Sequence, residues 1–289
     1  MAATTVIAIV FVLAVLIALL LFNLRERIVF ADGDGHEIPV TGFPHDAFEA
    51  LLTRYVSTDG YVDYAGWRAD AYSHRELNAY LAAVAELSPV NAPERFPTER
   101  DTLAYWMYAY NAYVVWSVLD KWPLKSVTDV KAPLEIVRGL GFFYRRRFPF
   151  GGEYLSLYHV ENEIIRKQYR DPRIHFVLNC GSESCPTLRP ELPTGEDLQR
   201  FLDRSTADFL SDPKHVEFDH DARRLRLSAI FRMYKSDFVD DLRAQGLPSD
   251  RGPIGWVEAN APEKVRDEFV RARDYSVDYK DFDWAINGQ

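Results

Sequence analysis

Cysteine is nearly absent: two residues in a chain of 289, too few to staple a small disulfide scaffold. Positive charge is also in deficit, with 34 Lys and Arg against 43 Asp and Glu and a formal net charge of −9. A chain of that sign lacks the basic face that non-specific nucleic-acid binding requires, so no nucleic-acid partner is expected. The sequence contains no P-loop, no G-x-G-x-x-G, no H-E-x-x-H and no G-x-S-x-G. The usual sequence grounds for ATP, NAD, zincin or serine-hydrolase chemistry are therefore missing, and no cofactor or resident metal is expected. Internal repeats and low-complexity tracts are missing too. What the chain does have is apolar mass: 47% hydrophobic and 14% aromatic residues, enough for a large core.

One long hydrophobic run stands out. Val6 to Phe22 is unbroken, and no charge occurs from Ala2 to Leu24. A helix of that length rises roughly 25–30 Å, about the hydrocarbon thickness of a bilayer. No Lys or Arg precedes the run and no small-x-small cleavage site follows it, which favours a retained single-pass anchor over a cleaved signal. Residues 1–24 are thus expected to be a transmembrane helix, with the membrane as both partner and location. Residues 25–42 read as a Gly/Pro-punctuated tether and 43–289 as the body. Arg25 and Arg27 flank Glu26 after the run and leave the side of the body undetermined.

Helical spacing is clear at Pro44–Tyr55, in a second helix capped by Ser73, and over about Glu99–Leu119. The last of these is apolar or aromatic nearly all round, so it should be buried, with Asn111 inside it as a hydrogen-bonded clamp or part of a polar pocket. Hairpins are expected at Phe142–Leu155, about Gly151-Gly152, and at Val216–Leu227. Ser156 and Ser228 cap further helices, and Arg145-Arg146-Arg147 reads as a solvated basic patch. Helices mixed with antiparallel hairpins, without βαβ alternation, give an α+β fold in one domain.

Chemistry concentrates in Arg173–Pro186, which holds both cysteines at H-x4-C-x4-C. Ile174 to Cys180 reads as a buried strand with His175, Val177 and Asn179 on one face. Phe176, Leu178 and Cys180 then take the dry face, which leaves Cys185 as the more accessible sulfur. A thiol enzyme needs a thiolate, a nearby base and a polar orienter. Cys185 as nucleophile, His175 as base, and Asn179, Asn111 or Glu161 as orienter form such a set. The implied activity is hydrolysis or acyl transfer on a small amide or peptide. The competing reading is a non-catalytic, membrane-displayed binding domain whose polar residues brace the core. A metal site completed by Glu161 or His159 and a Cys180–Cys185 disulfide are further alternatives.

Several stretches together resemble the domain of unknown function (DUF) 547 family. They are Gly60–Tyr64, Tyr105–Tyr113, Leu155–Leu157 with Val160-Glu161, Arg173–Pro186, Leu227–Phe231 with Asp237-Phe238, and Asp283–Asn287. The resemblance covers nearly all of the body and implies its fold and the position of its site, but no settled reaction. After Ser156 the family pattern carries an acidic pair and then Glu-His; here Tyr158-His159 replaces the pair and Asn162 follows Glu161.

Overall fold

The computed structural model describes residues 2–23, 25–30, 39, 41–132, 135 and 137–288. At the centre lies the helix Glu99–Lys121, opened by a capping box in which Thr98 and Asp101 exchange side-chain and backbone hydrogen bonds. That exchange satisfies donors which a helix start otherwise leaves without partners. From Leu103 to Leu119 every residue except Trp116 is buried. Helices Tyr64–Ala69 and Ala71–Glu86 pack on part of its surface, and the turns Leu157–His159 and Val160–Ile165 on another. Asp70, rather than Ser73, caps the helix Ala71–Glu86; its carboxylate accepts from the Tyr72 and Ser73 N–H groups.

Two three-stranded sheets flank this interior. In the first, β1 (Glu26–Arg27) runs parallel to β2 (Arg146–Phe150), which turns back antiparallel into β3 (Glu153–Leu155). In the second, β4 (Val216–Asp219) and β5 (Arg224–Leu227) form a hairpin, and β6 (Ser276–Tyr279) lies parallel on β5. Both expected hairpins form, the first only from Arg146 onward, because Leu140–Arg145 is a π-helical turn instead of strand. The sheets are mixed rather than purely antiparallel, because each hairpin leaves an edge that a strand from a remote part of the chain covers. Residues 26–28 are therefore paired or packed, with Ile28 buried, where a loose tether was expected. Residues 31–38 and 40 of that tether lie outside the described residues.

The membrane anchor needs correction. The apolar run does form the helix Ala2–Asn23, but among the described residues no helix is long and apolar enough to cross a membrane. The transmembrane helix, the membrane partner and the single-pass location drop out, and the fold class reduces to α+β.

The basic patch is also different from the expectation. Arg146 is fully buried, donates to Asp120 at 2.6 Å, and lies over the rings of Trp116 and Phe148. A buried guanidinium needs such a partner, because an unpaired one would be costly.

The Ile174–Cys180 segment is not a strand. Asp171 accepts from the Arg173 N–H and starts a 3-10 turn over Pro172–Phe176, with Pro172 at the first position, where no amide donor is needed. Beyond the turn, Asn111 takes the place of a strand neighbour: its amide donates to the Val177 carbonyl and its oxygen accepts from the Asn179 N–H. The interior divides into two hydrophobic clusters, and this segment runs along their seam. Ile174, Val177 and Leu178 belong to the cluster around the central helix, and Phe176 to the one containing Phe209, Phe231, Phe238 and Trp256.

Candidate functional site

A cleft of about 330 Å³ opens at this seam, at the small end of the range for ligand pockets. Two π-helical turns, Leu140–Arg145 and Val160–Ile165, each supply part of its wall. Turns of this kind are rare and concentrate at functional sites. In the second, the Arg166 N–H reaches back five residues to the Glu161 carbonyl. Glu161, Asn162 and Arg166 all address the cleft as a result.

Glu161 is nearly buried, and each of its oxygens accepts one phenol. Tyr110 donates to Oε2 at 3.1 Å and Tyr234 to Oε1 at 2.5 Å. Burial, and then the neighbouring Glu161 charge, push both phenols well above their usual value, so each keeps the proton it donates. A carboxylate oxygen has two lone pairs. Among the described residues these phenols are the hydrogen-bond partners of the Glu161 carboxylate, which leaves one acceptor position on each oxygen.

Beside it, His175 stacks on Tyr234 with ring centroids 3.9 Å apart, and the Arg166 guanidinium lies 4.9 Å from the same ring. Arg166 grips Asp237 with two bonds of 2.7 Å. His175 Nε2 stands 2.8 Å from the Asp237 carboxylate. Burial pushes Asp237 up, but hydrogen bonds from His175 and Arg166 outweigh it and hold the carboxyl well below its usual range. An ionised carboxylate can only accept, so the ring proton of His175 sits on Nε2. The bond fixes the orientation of the His175 ring.

The cysteines are bonded to each other, Cys180 to Cys185, with Cα atoms 6.0 Å apart. Both line the cleft, but their exposure is the reverse of the strand-based expectation: Cys185 is buried at 4% and Cys180 is partly exposed. Without a strand there is no alternation to hide Cys180. A sulfur committed to a disulfide is not a thiolate, so with the bridge closed Cys185 cannot serve as the nucleophile of a hydrolysis or acyl transfer. The membrane-displayed alternative falls with the anchor.

The structure brings Glu161, His175 and Cys185 together and leaves Asn111 outside the cleft, as a clamp on the backbone behind it. Asn179 is likewise structural, bonded to Gly181 N–H and the Pro186 carbonyl. His159 lines a separate cavity. Among the described residues no group of three or more His, Cys, Asp or Glu stands close enough to hold a metal ion. Sequence reasoning missed Arg166, Tyr234 and Asp237 as site residues. Tyr234 and Asp237 meet Glu161 and His175 across 73 and 62 residues, and Arg166, though five residues from Glu161, is tied into the site through Asp237; the sole hint was that Asp237 lies in a stretch carrying the family resemblance.

The fold and cleft define a helix-rich α+β protein with an aromatic-walled, carboxylate-floored pocket at the seam of two hydrophobic clusters. Residues 94–210 match the model of the family described as "Protein of unknown function, DUF547". The matched stretch holds Glu161, His175 and both cysteines, while Tyr234, Asp237 and Trp284 lie beyond it. No curated protein and no solved structure matches the chain.

Proposed function

We propose that the cleft binds a small amphipathic ligand carrying an N–H or O–H donor, such as an amine, amide or hydroxyl, on an apolar or aromatic body. The observation that carries this reading is Glu161, a carboxylate fixed by two phenols on the cleft floor with an acceptor position left on each oxygen. Phe143, Tyr144, Tyr158, Phe282 and Trp284 supply flat apolar walls for the body. Glu161 contacts the ligand in this reading; His175, Asp237 and Arg166 position Tyr234 and so the carboxylate.

A thermal-shift screen of aromatic amines and amides against isosteres lacking the donor tests the proposal. Donor-bearing compounds are expected to raise the Tm of the wild-type protein, and Glu161→Gln to weaken them by about 1.5–3 kcal/mol, the usual worth of a hydrogen bond to a charged group. The isosteres should respond little to the exchange. Equal binding of donor and donor-free compounds would remove Glu161 from the site.

A further inference from the structure

We infer that the Cys180–Cys185 bridge is a reactive disulfide that exchanges with small thiols entering the cleft, an activity beyond the binding role of Glu161. Four observations lead there. Both sulfurs line the cavity instead of cross-linking distant parts of the fold. Their exposure is unequal, with Cys180 reachable and Cys185 buried. The Cys180 N–H points at Cys185 Sγ at 3.1 Å, a donor that favours negative charge on that sulfur. Finally, the loop does not depend on the bridge for its shape.

That independence is visible in its hydrogen bonds. Asn179 ties the loop across its base to Gly181 and Pro186. The C-terminal tail holds its other side, with Glu183 N–H on the Ala285 carbonyl, Ser184 N–H on that of Asp283, and Asn287 N–H on that of Gly181. Gly181 itself, at φ 78°, backs onto Val127, Val114 and Val118, where a side chain would be crowded. A bridge closing so short a loop, already held from both sides, adds little to the fold, and its place in a ligand cleft points to chemistry.

The exchange runs in two steps. A thiolate attacks Cys180 Sγ, a new S–S bond forms between them, and the Cys180–Cys185 bond breaks with its electron pair passing to Cys185. The departing Cys185 thiolate keeps the Cys180 N–H as its donor. A second thiol, on the same molecule or another, then attacks the ligand sulfur of the mixed disulfide and Cys180 leaves. Two thiols are oxidised to one disulfide, the protein disulfide is reduced to two thiols, and the two thiol protons end on Cys180 and Cys185.

The test uses glutathione as the thiol and the full-length protein, with alkylation and mass spectrometry as the readout. In the folded wild-type protein, millimolar glutathione should open the bridge within about tenfold of the rate in denaturant, because the attacked sulfur is accessible. Cys185→Ser should accumulate the glutathione adduct on Cys180 from oxidised glutathione, at least about tenfold faster than Cys180→Ser does on Cys185. A bridge that resists glutathione in the folded wild-type protein and opens only on unfolding would overturn the proposal, whatever the variants do. The ligand reading is scored by the Tm response to donor-bearing compounds, and this one by glutathione opening of the bridge in the wild-type protein, which needs no such compound. Failure of the ligand reading is thereby distinguishable from failure of this one.

Discussion

Between pH 7 and pH 4.5 the protein should lose about 5 kcal/mol of stability, with most of the loss assigned to two histidines outside the cleft. His45 and His215 are both buried, and burial lowers each from 6.5 to about 3; for His215 the charges of Lys214 and Lys280 add to the effect. A group depressed in this way stays neutral when folded but takes a proton when unfolded. Below pH 6.5 the unfolded state therefore binds more protons, and stability falls with pH until the folded value is reached. At pH 4.5 each histidine accounts for roughly 2–3 kcal/mol. Two such terms compare with a total of about 5–15 kcal/mol for an ordinary domain, so the transition should be conspicuous. Asp237 acts in the same direction but later: its stabilisation is complete above the ordinary carboxyl value and is lost only as pH falls below about 4. Denaturant midpoints across this range provide the measurement. His215→Phe, which keeps a flat ring against Phe209, should remove about half of the slope. A midpoint flat from pH 7 to 4.5 would show that these imidazoles protonate freely in the folded state.

Trp106→Ala should cost about 3–5 kcal/mol, as large-to-small changes in a closed core do. The indole is 3% exposed and packs edge-on against Tyr105, with the ring of Phe150 from β2 at 5.6 Å. Its loss leaves a cavity between the central helix and the β2–β3 hairpin, and the surrounding aromatics are too large to collapse into it. Urea unfolding should show a lower midpoint with an unchanged slope, which identifies a change in stability and not in the unfolded ensemble. A cost below about 1 kcal/mol would mean that the helix is less enclosed than its burial indicates.

Much of the frame is written locally in the chain. Ser156 and Ser228 announce helix starts through oxygens that accept the first amides. The turn at Gly151-Gly152 sets the first hairpin, and the all-round aromatic character of Glu99–Lys121 dictates its enclosure. Legibility ends where a remote group replaces a local pattern. Ile174 to Cys180 has the composition of a strand, yet Asn111 satisfies its backbone from 66 and 68 residues away, so no strand partner is needed. That one substitution also inverted the expected exposure of the cysteines. Glu161 and His175 could be singled out as polar residues beside apolar stripes. Tyr234 and Asp237 could not, because they reach the site across separations of 73 and 62 residues.

The central claim is that the cleft floored by Glu161 receives a ligand. The most direct measurement is a crystal structure of the full chain soaked with an aromatic amine or amide that raises its Tm. The account predicts the aromatic body between Tyr144 and Trp284, with a donor nitrogen at hydrogen-bond distance, about 2.7–3.2 Å, from a Glu161 oxygen. An empty cleft with the compound bound elsewhere, or a ligand whose donor turns away from Glu161, would contradict it.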